Sequence, residues 1–232
     1  MNGAHLTTHD GRRTMRMMRR TSIAALLALT GLAAGARALA ADHLVPGRRL
    51  VIKNQIPDNE QRNRILLSAR SGALTMAAGG SGGDPTCTGA GGGGGQITFT
   101  SSASGESHTS PLPCQNWKAG RGAYRYQDRA VADGTCKLIV LRGGRVLRAT
   151  CLGRGPTVLD YDLRVGQRQD PIDVTLELGT EPYRYCMRFG GNVRADGSDG
   201  TSFFARESAA PAACPVPPGS PGGAFLDGIT FP

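Results

Sequence analysis

The sequence predicts an all-β fold, an antiparallel β-sandwich stapled by disulfides. Three observations point there. Apolar and polar residues alternate over short runs, turn residues separate those runs, and an even set of six cysteines lies in the later part of the chain. Period-two alternation marks strands with one face in the core and one in water. Short strands recurring between turns, without a long amphipathic helix, favour a sandwich.

The first forty residues read as an address. Arg16, Arg19 and Arg20 precede an apolar run at 23–36, and Ala38-Leu39-Ala40 follows with small residues where a signal peptidase reads. This charged, apolar, small-residue order is that of a secretory signal. The run falls short of the ~20 residues that span a bilayer, which leaves an N-terminal anchor as the lesser alternative. The expectation is a signal peptide at 1–40 cleaved after Ala40, a secreted or periplasmic product, and no membrane span after its removal. The whole chain has 27 Lys and Arg against 18 Asp and Glu, a formal net charge of +9. Six of the Arg and one acid lie in 1–40, so 21 basic and 17 acidic residues remain, a net +4. With no like-charge run, no dense basic face is expected, and nucleic acid is not an expected partner.

Cys87, Cys114, Cys136, Cys151, Cys186 and Cys214 all follow the signal. An even number in an exported chain reads as three disulfides. No C-x-x-C pair occurs, and only His43 and His108 remain after the signal, so no metal and no cofactor are expected. One pairing follows from register. Gly143-Gly144 between two β-rich runs signals a two-residue hairpin loop, which sets Cys136 directly opposite Cys151. The same face would carry Leu138, Val140, Leu147 and Ala149 into the core. Closing such a loop is worth about 3 kcal/mol in the chain-entropy model. Nearness in sequence suggests Cys87 with Cys114 and Cys186 with Cys214.

The remaining elements follow in order. Residues 49–54 and 65–69 read as strands, although 59–69 also suits a helix by composition. The stretch 79–95 holds ten Gly. It lacks the Lys-Ser/Thr that a phosphate loop needs after its last glycine, and reads as a flexible loop tied down by Cys87. Strands are expected at 96–101 and 123–127, where Tyr124 and Tyr126 share a face. The 136–151 hairpin follows, and then alternating runs at 159–165, 172–178 and 183–189. Residues 196–200 read as a turn before a strand at 202–206. One domain is expected over 46–214, followed by a Pro/Gly-rich tail at 215–232 in which 225–231 could dock as a last strand.

A set of landmarks carries a resemblance. They are Gly122-Ala123-Tyr124-Arg125-Tyr126, Asp133-Gly134-Thr135-Cys136-Lys137, the Gly-Gly hairpin ending at Ala149-Thr150-Cys151, Leu176-Glu177-Leu178-Gly179-Thr180, Tyr185-Cys186-Met187-Arg188-Phe189-Gly190-Gly191 and Phe203-Phe204-Ala205. Over roughly 48–214 the chain resembles a β-rich module of secreted bacterial proteins. The resemblance implies export and a β fold and supplies no functional residues. Cys87 and Cys114 stand outside its pattern, which supports their pairing with each other.

No catalytic set emerges. His108 lies in a polar segment without a nucleophile elbow and reads as a solvated histidine. Asp160 and Asp162 would share one strand face, as would Asp173, Thr175 and Glu177. Paired carboxylates of this kind cleave glycosides, and they are equally what a wet strand face looks like. Asp196, Ser198 and Asp199 lack the full calcium-loop pattern and read as a turn. Trp117, Tyr124 and Tyr126 are the candidates for an aromatic sugar-binding platform, with Tyr161, Tyr183 and Tyr185 behind them. Arg greatly outnumbers Lys after the signal, which suits acidic glycans and equally a GC-rich codon bias. The expected function is a secreted non-catalytic β-module with a binding or structural role at the cell surface or in the envelope. Its partner would be a glycan or an envelope protein. The alternative is a carboxylate-based hydrolase acting on glycans.

Overall fold

The computed structural model describes residues 41–54, 60–154, 156–164, 168–181 and 183–215. The expected signal at 1–40 lies outside the described residues, as do the tail from 216 onward and the strand suggested at 225–231.

Two sheets share one core. The smaller is ordered β1-β11-β10-β4-β5, from β1 (Ala41–Leu44), β11 (Tyr183–Phe189), β10 (Ile172–Leu178), β4 (Gly95–Ser101) and β5 (Ser107–Pro111). The larger is ordered β12-β13-β2-β3-β9-β8-β7-β6. Its strands are β12 (Asn192–Asp196), β13 (Ser202–Ser208), β2 (Gly47–Lys53), β3 (Arg64–Ala69), β9 (Val146–Leu152), β8 (Cys136–Arg142), β7 (Ala123–Gln127) and β6 (Trp117–Gly120). Every pairing is antiparallel except β1 with β11. The inner faces interdigitate as in sandwiches. Leu50, Ile52, Ile65 and Leu67 of the larger sheet join Ile97, Phe99, Val174 and Leu176 of the smaller in a single buried cluster. Cys87 is bonded to Cys114, Cys136 to Cys151 and Cys186 to Cys214.

The hairpin differs from its sequence reading in an instructive way. Arg142 pairs with Val146, so the loop holds three residues, Gly143 to Arg145, with Gly144 in the left-handed region at φ 62°. That shifts the register by one. A bulge between Cys136 and Leu138 shifts it back, so Cys136 still faces Cys151. Between loop and bulge the β8 side chains are turned over, while Leu147 and Ala149 of β9 lie in the core as expected. Ile139 and Leu141 are fully buried, while Leu138 and Val140 lie on the outer face.

Other expectations are corrected. The domain begins before residue 46, because Ala41–Leu44 forms an edge strand on β11. The 60–69 segment is one 3-10 turn (Glu60–Arg62) and then strand. The run at 159–164 forms no strand. Leu159, Tyr161 and Leu163 are buried alternately, but they pair with no neighbouring strand, and residue 165 lies outside the described residues. β1, β5, β6 and β12 add to the strands read from sequence, because they are short and weakly alternating.

The Gly-rich stretch is closely packed, contrary to the flexible loop expected. Asp84 is 2% exposed and accepts hydrogen bonds from Gly80 N at 2.7 Å, Thr86 N at 2.9 Å and Thr86 Oγ1 at 2.8 Å. Burial raises its pKa, but these donors outweigh burial and hold it below the usual carboxylate value. Glycine is required here by close approach. A Cβ on Gly93 would collide with the Thr86 carbonyl, and one on Gly179 with the Gly82 carbonyl. Both residues also have positive φ.

Candidate functional site

The three aromatic candidates lie inside the sandwich. Trp117 is 4% exposed, Tyr124 2% and Tyr126 0%, so they form no platform for sugars. Each apolar ring fills core, and each polar tip finds a partner. Trp117 Nε1 donates to Leu112 O at 3.2 Å, and Tyr124 OH donates to Ala77 O at 3.1 Å. Tyr126 OH accepts from Asn116 Nδ2 at 3.3 Å. Trp117 packs edge-on against Tyr126 with ring centres 5.3 Å apart. Burial pushes the Tyr126 phenol up to about 12. Tyr161 and Tyr185 are buried and raised in the same way.

His108 is buried, in place of the solvated histidine that its polar neighbours suggest. It sits on β5. Its Nδ1 is bonded to the Asp160 carboxylate, and its Nε2 lies 2.8 Å from Thr135 Oγ1. The connectivity of acid, imidazole and hydroxyl is that of a nucleophilic relay. The exposure order is the reverse of what catalysis needs. The acid's side chain is 69% exposed, while the imidazole is 4% and Thr135 2% exposed. A substrate would meet the carboxylate and never reach the hydroxyl. The chain of bonds works as a tie, fastening β5 to the 128–135 and 156–164 segments.

The carboxylates proposed as paired acids are engaged separately. Asp162 is bidentate with Arg164, which holds its pKa down. Asp173 accepts from Ser102 Oγ at 3.0 Å, and Glu177 accepts from Gln96 Nε2 at 2.6 Å. Asp196 and Asp199 close their own turn by accepting from Ser198 N, Thr201 N and Ser202 N. Bonds from the backbone of Thr201 and Ser202 hold Asp199 down to about 2. Among the described residues no three His, Cys, Asp or Glu form a group suited to a metal ion.

What the sequence does not reveal is a basic face. All eight strands of the larger sheet carry Lys or Arg, while their acids are only Asp196 and Glu207. The register aligns the outward cations. Arg206 of β13 is directly opposite Arg49 of β2, which faces Ser68 of β3, which faces Arg148 of β9. Arg48 and Arg70 flank that row. Together Arg48, Arg49, Arg70, Arg148 and Arg206 line an open groove of about 500 Å³, with Glu207 as its sole acid. None of these five arginines forms an ion pair among the described residues.

Like charges directly opposite one another destabilise a sheet, and this face keeps three such pairs, Arg206 with Arg49, Lys53 with Arg64 and Lys118 with Arg125. Arg64 Nε is buried without a hydrogen-bond partner. Part of the repulsion is relieved by Phe204, whose ring lies 4.6 Å from the Arg206 guanidinium and 5.3 Å from that of Arg49. The guanidinium groups keep donors in a planar fork that matches carboxylate, sulfate or phosphate. Glu207 holds a positive φ of 45° at the groove's edge.

Fold and face together define a disulfide-stapled β-sandwich with one sheet surface on which, among the described residues, cations outnumber acids. No protein-family model, curated protein or solved structure matches the chain. Among the described residues no helix is long and apolar enough to cross a membrane. That and the three disulfides are compatible with an extracellular or periplasmic location.

Proposed function

We propose that the chain is an exported, non-catalytic binding module that holds an acidic polysaccharide against the arginine face. The observation that carries this reading is the groove of five arginines without ion-pair partners among the described residues, maintained although Arg206 and Arg49 repel across the sheet. The signal-like order of residues 1–40 supports export, with cleavage after Ala40 releasing Ala41 to begin β1. The resemblance to a secreted bacterial β-module points the same way. An acidic glycan suits this face better than nucleic acid. Single strands are held by stacking on aromatic rings, and Phe204, the aromatic side chain on this face, is already flanked by two guanidinium groups. The hydrolase reading has less support, since each of its acids is engaged by a different neighbour.

The test is binding of the oxidised exported protein to polygalacturonate, alginate and neutral dextran. Saturable binding to the acidic polymers, absent for dextran, is expected. Arg49→Ala with Arg148→Ala should lower affinity at least about tenfold, given ~1.5–3 kcal/mol for a charge-assisted hydrogen bond. Undiminished binding by the double variant, or equal binding to dextran, would break the reading.

A further inference from the structure

Resting on that reading, we infer that the site is longer than the groove. It is a continuous track across the sheet, and its ligand is a linear polymer running perpendicular to the strands. The row that begins Arg206, Arg49, Ser68, Arg148 does not stop at β9. Arg148 faces Val140 of β8, Val140 faces Arg125 of β7, and Arg125 faces Lys118 of β6. Directly opposed residues in antiparallel strands project from the same face, so all seven side chains stand on the outer surface in one line. At ~4.8 Å between neighbouring strands, the line from Arg206 to Lys118 extends about 29 Å.

The spacing along the line has a pattern. Arg49 and Arg148 are two strands apart, with small, uncharged Ser68 between them. Arg148 and Arg125 are again two strands apart, with Val140 between them. Each interval is about 10 Å, and a second cation doubles the row at each end, Arg206 beside Arg49 and Lys118 beside Arg125. A chain with anionic groups at regular intervals meets a cation at each step and a flat, uncharged residue between. Neither Arg125 nor Lys118 forms an ion pair among the described residues, and both are exposed. A single small anion would use the groove alone and leave Arg125 and Lys118 without a role.

The test is a length series of oligogalacturonates titrated into the exported protein, with the double variant Arg125→Gln and Lys118→Gln alongside. Both positions are exposed, so the variant should fold. Affinity should rise with length until the oligomer crosses the sheet. The variant should lose about tenfold for the longest oligomers and nothing for the shortest. Equal affinity for short and long oligomers, or a variant indistinguishable from wild type at every length, would overturn the track while leaving the groove reading intact. Absence of binding at any length would remove the groove reading itself. Single-stranded DNA binding as tightly, with the same variant sensitivity, would overturn the polysaccharide as occupant.

Discussion

On the five-stranded sheet the outward charges close on one another, whereas on the eight-stranded sheet they are left open. Arg184 grips Asp42 through two bonds of 2.7 Å, and Asp42 raises the pKa of Arg184. Arg188 lies 3.7 Å from Asp173, its direct cross-strand neighbour. Thr98 bonds Thr109, and Thr100 bonds Ser107, across β4 and β5. The Cys186–Cys214 bond then straps the segment after β13 to β11. The larger sheet differs in charge, with cation opposite cation at Arg206 and Arg49, at Lys53 and Arg64 and at Lys118 and Arg125. Both faces are ordinary wet sides of antiparallel sheets by period. They differ in whether the protein supplies its own counter-charges. A face that does leaves no charge for a partner; on the binding reading proposed above, a face that does not keeps its cations for an anionic ligand.

The comparison can be tested in order of effect. The largest change should come from the shared core. Trp117→Ala should cost ~3–5 kcal/mol in unfolding free energy, measured with denaturant. Because both faces are mounted on that core, ligand binding should then fail only together with the fold. Selective loss of binding in a fully stable Trp117→Ala protein would restore the aromatic ring as a contact residue.

Next, Arg49→Glu combined with Arg148→Glu should lower affinity for polygalacturonate by about 100-fold, because two charge-assisted hydrogen bonds disappear and repulsion takes their place. Its unfolding midpoint should not fall, because Arg49→Glu also turns the like-charge pair with Arg206 into an opposite-charge pair. Asp42→Ala on the paired face should do the opposite, leaving affinity unchanged and costing at most ~1 kcal/mol of stability. If both variants acted alike on affinity, the distinction between the faces would fall.

Alkaline pH separates fold from face in another way. The Tyr126 phenol is raised by burial to about 12, against ~10 when unfolded. The folded state therefore holds its proton more tightly, and stability falls as pH rises from ~10 through about 12. Arginine stays charged over this range. Binding of short oligomers, which use the groove whose cations are all arginine, should be lost in step with unfolding, read by phenolate absorbance and by the unfolding midpoint, and short-oligomer binding lost well before unfolding would argue against arginine as the anion-holding group.

The smallest effect is the sharpest. Lys53→Glu converts the like-charge pair with Arg64 into an opposite-charge pair, making this face locally like the other one. It should raise stability by ~0.2–1 kcal/mol while weakening polyanion binding. A destabilised variant would show that the open face carries no electrostatic strain.

The buried and exposed positions of the strands are largely legible in the sequence because alternation is local. Tyr183, Tyr185, Met187 and Phe189 form a one-faced row by period alone, and Tyr185, Met187 and Phe189 are fully buried. The relay through His108 is not legible. Its flanking residues are polar, and the partners Thr135 and Asp160 are far along the chain. The arginine face is hidden for the same reason. Its cations are dispersed from residue 48 to 206 between apolar neighbours, so no stretch of sequence looks basic. One signal is available, the excess of Arg over Lys after residue 40, but composition cannot say on which surface the residues meet.

The sequence by itself determined the all-β class, the strand-forming runs, and the six cysteines that staple them. These depend on side-chain period and residue type, which neighbours along the chain reveal. Only the tertiary structure decided which strands adjoin and, in β8, which side faces water. A three-residue loop and a compensating bulge in the 136–151 hairpin kept Cys136 opposite Cys151 while turning Leu138 and Val140 outward. With a side-chain period of two, a one-residue shift exchanges the faces of a strand. Charge becomes a surface property only after register has aligned residues from β13, β2, β9, β7 and β6 in one line.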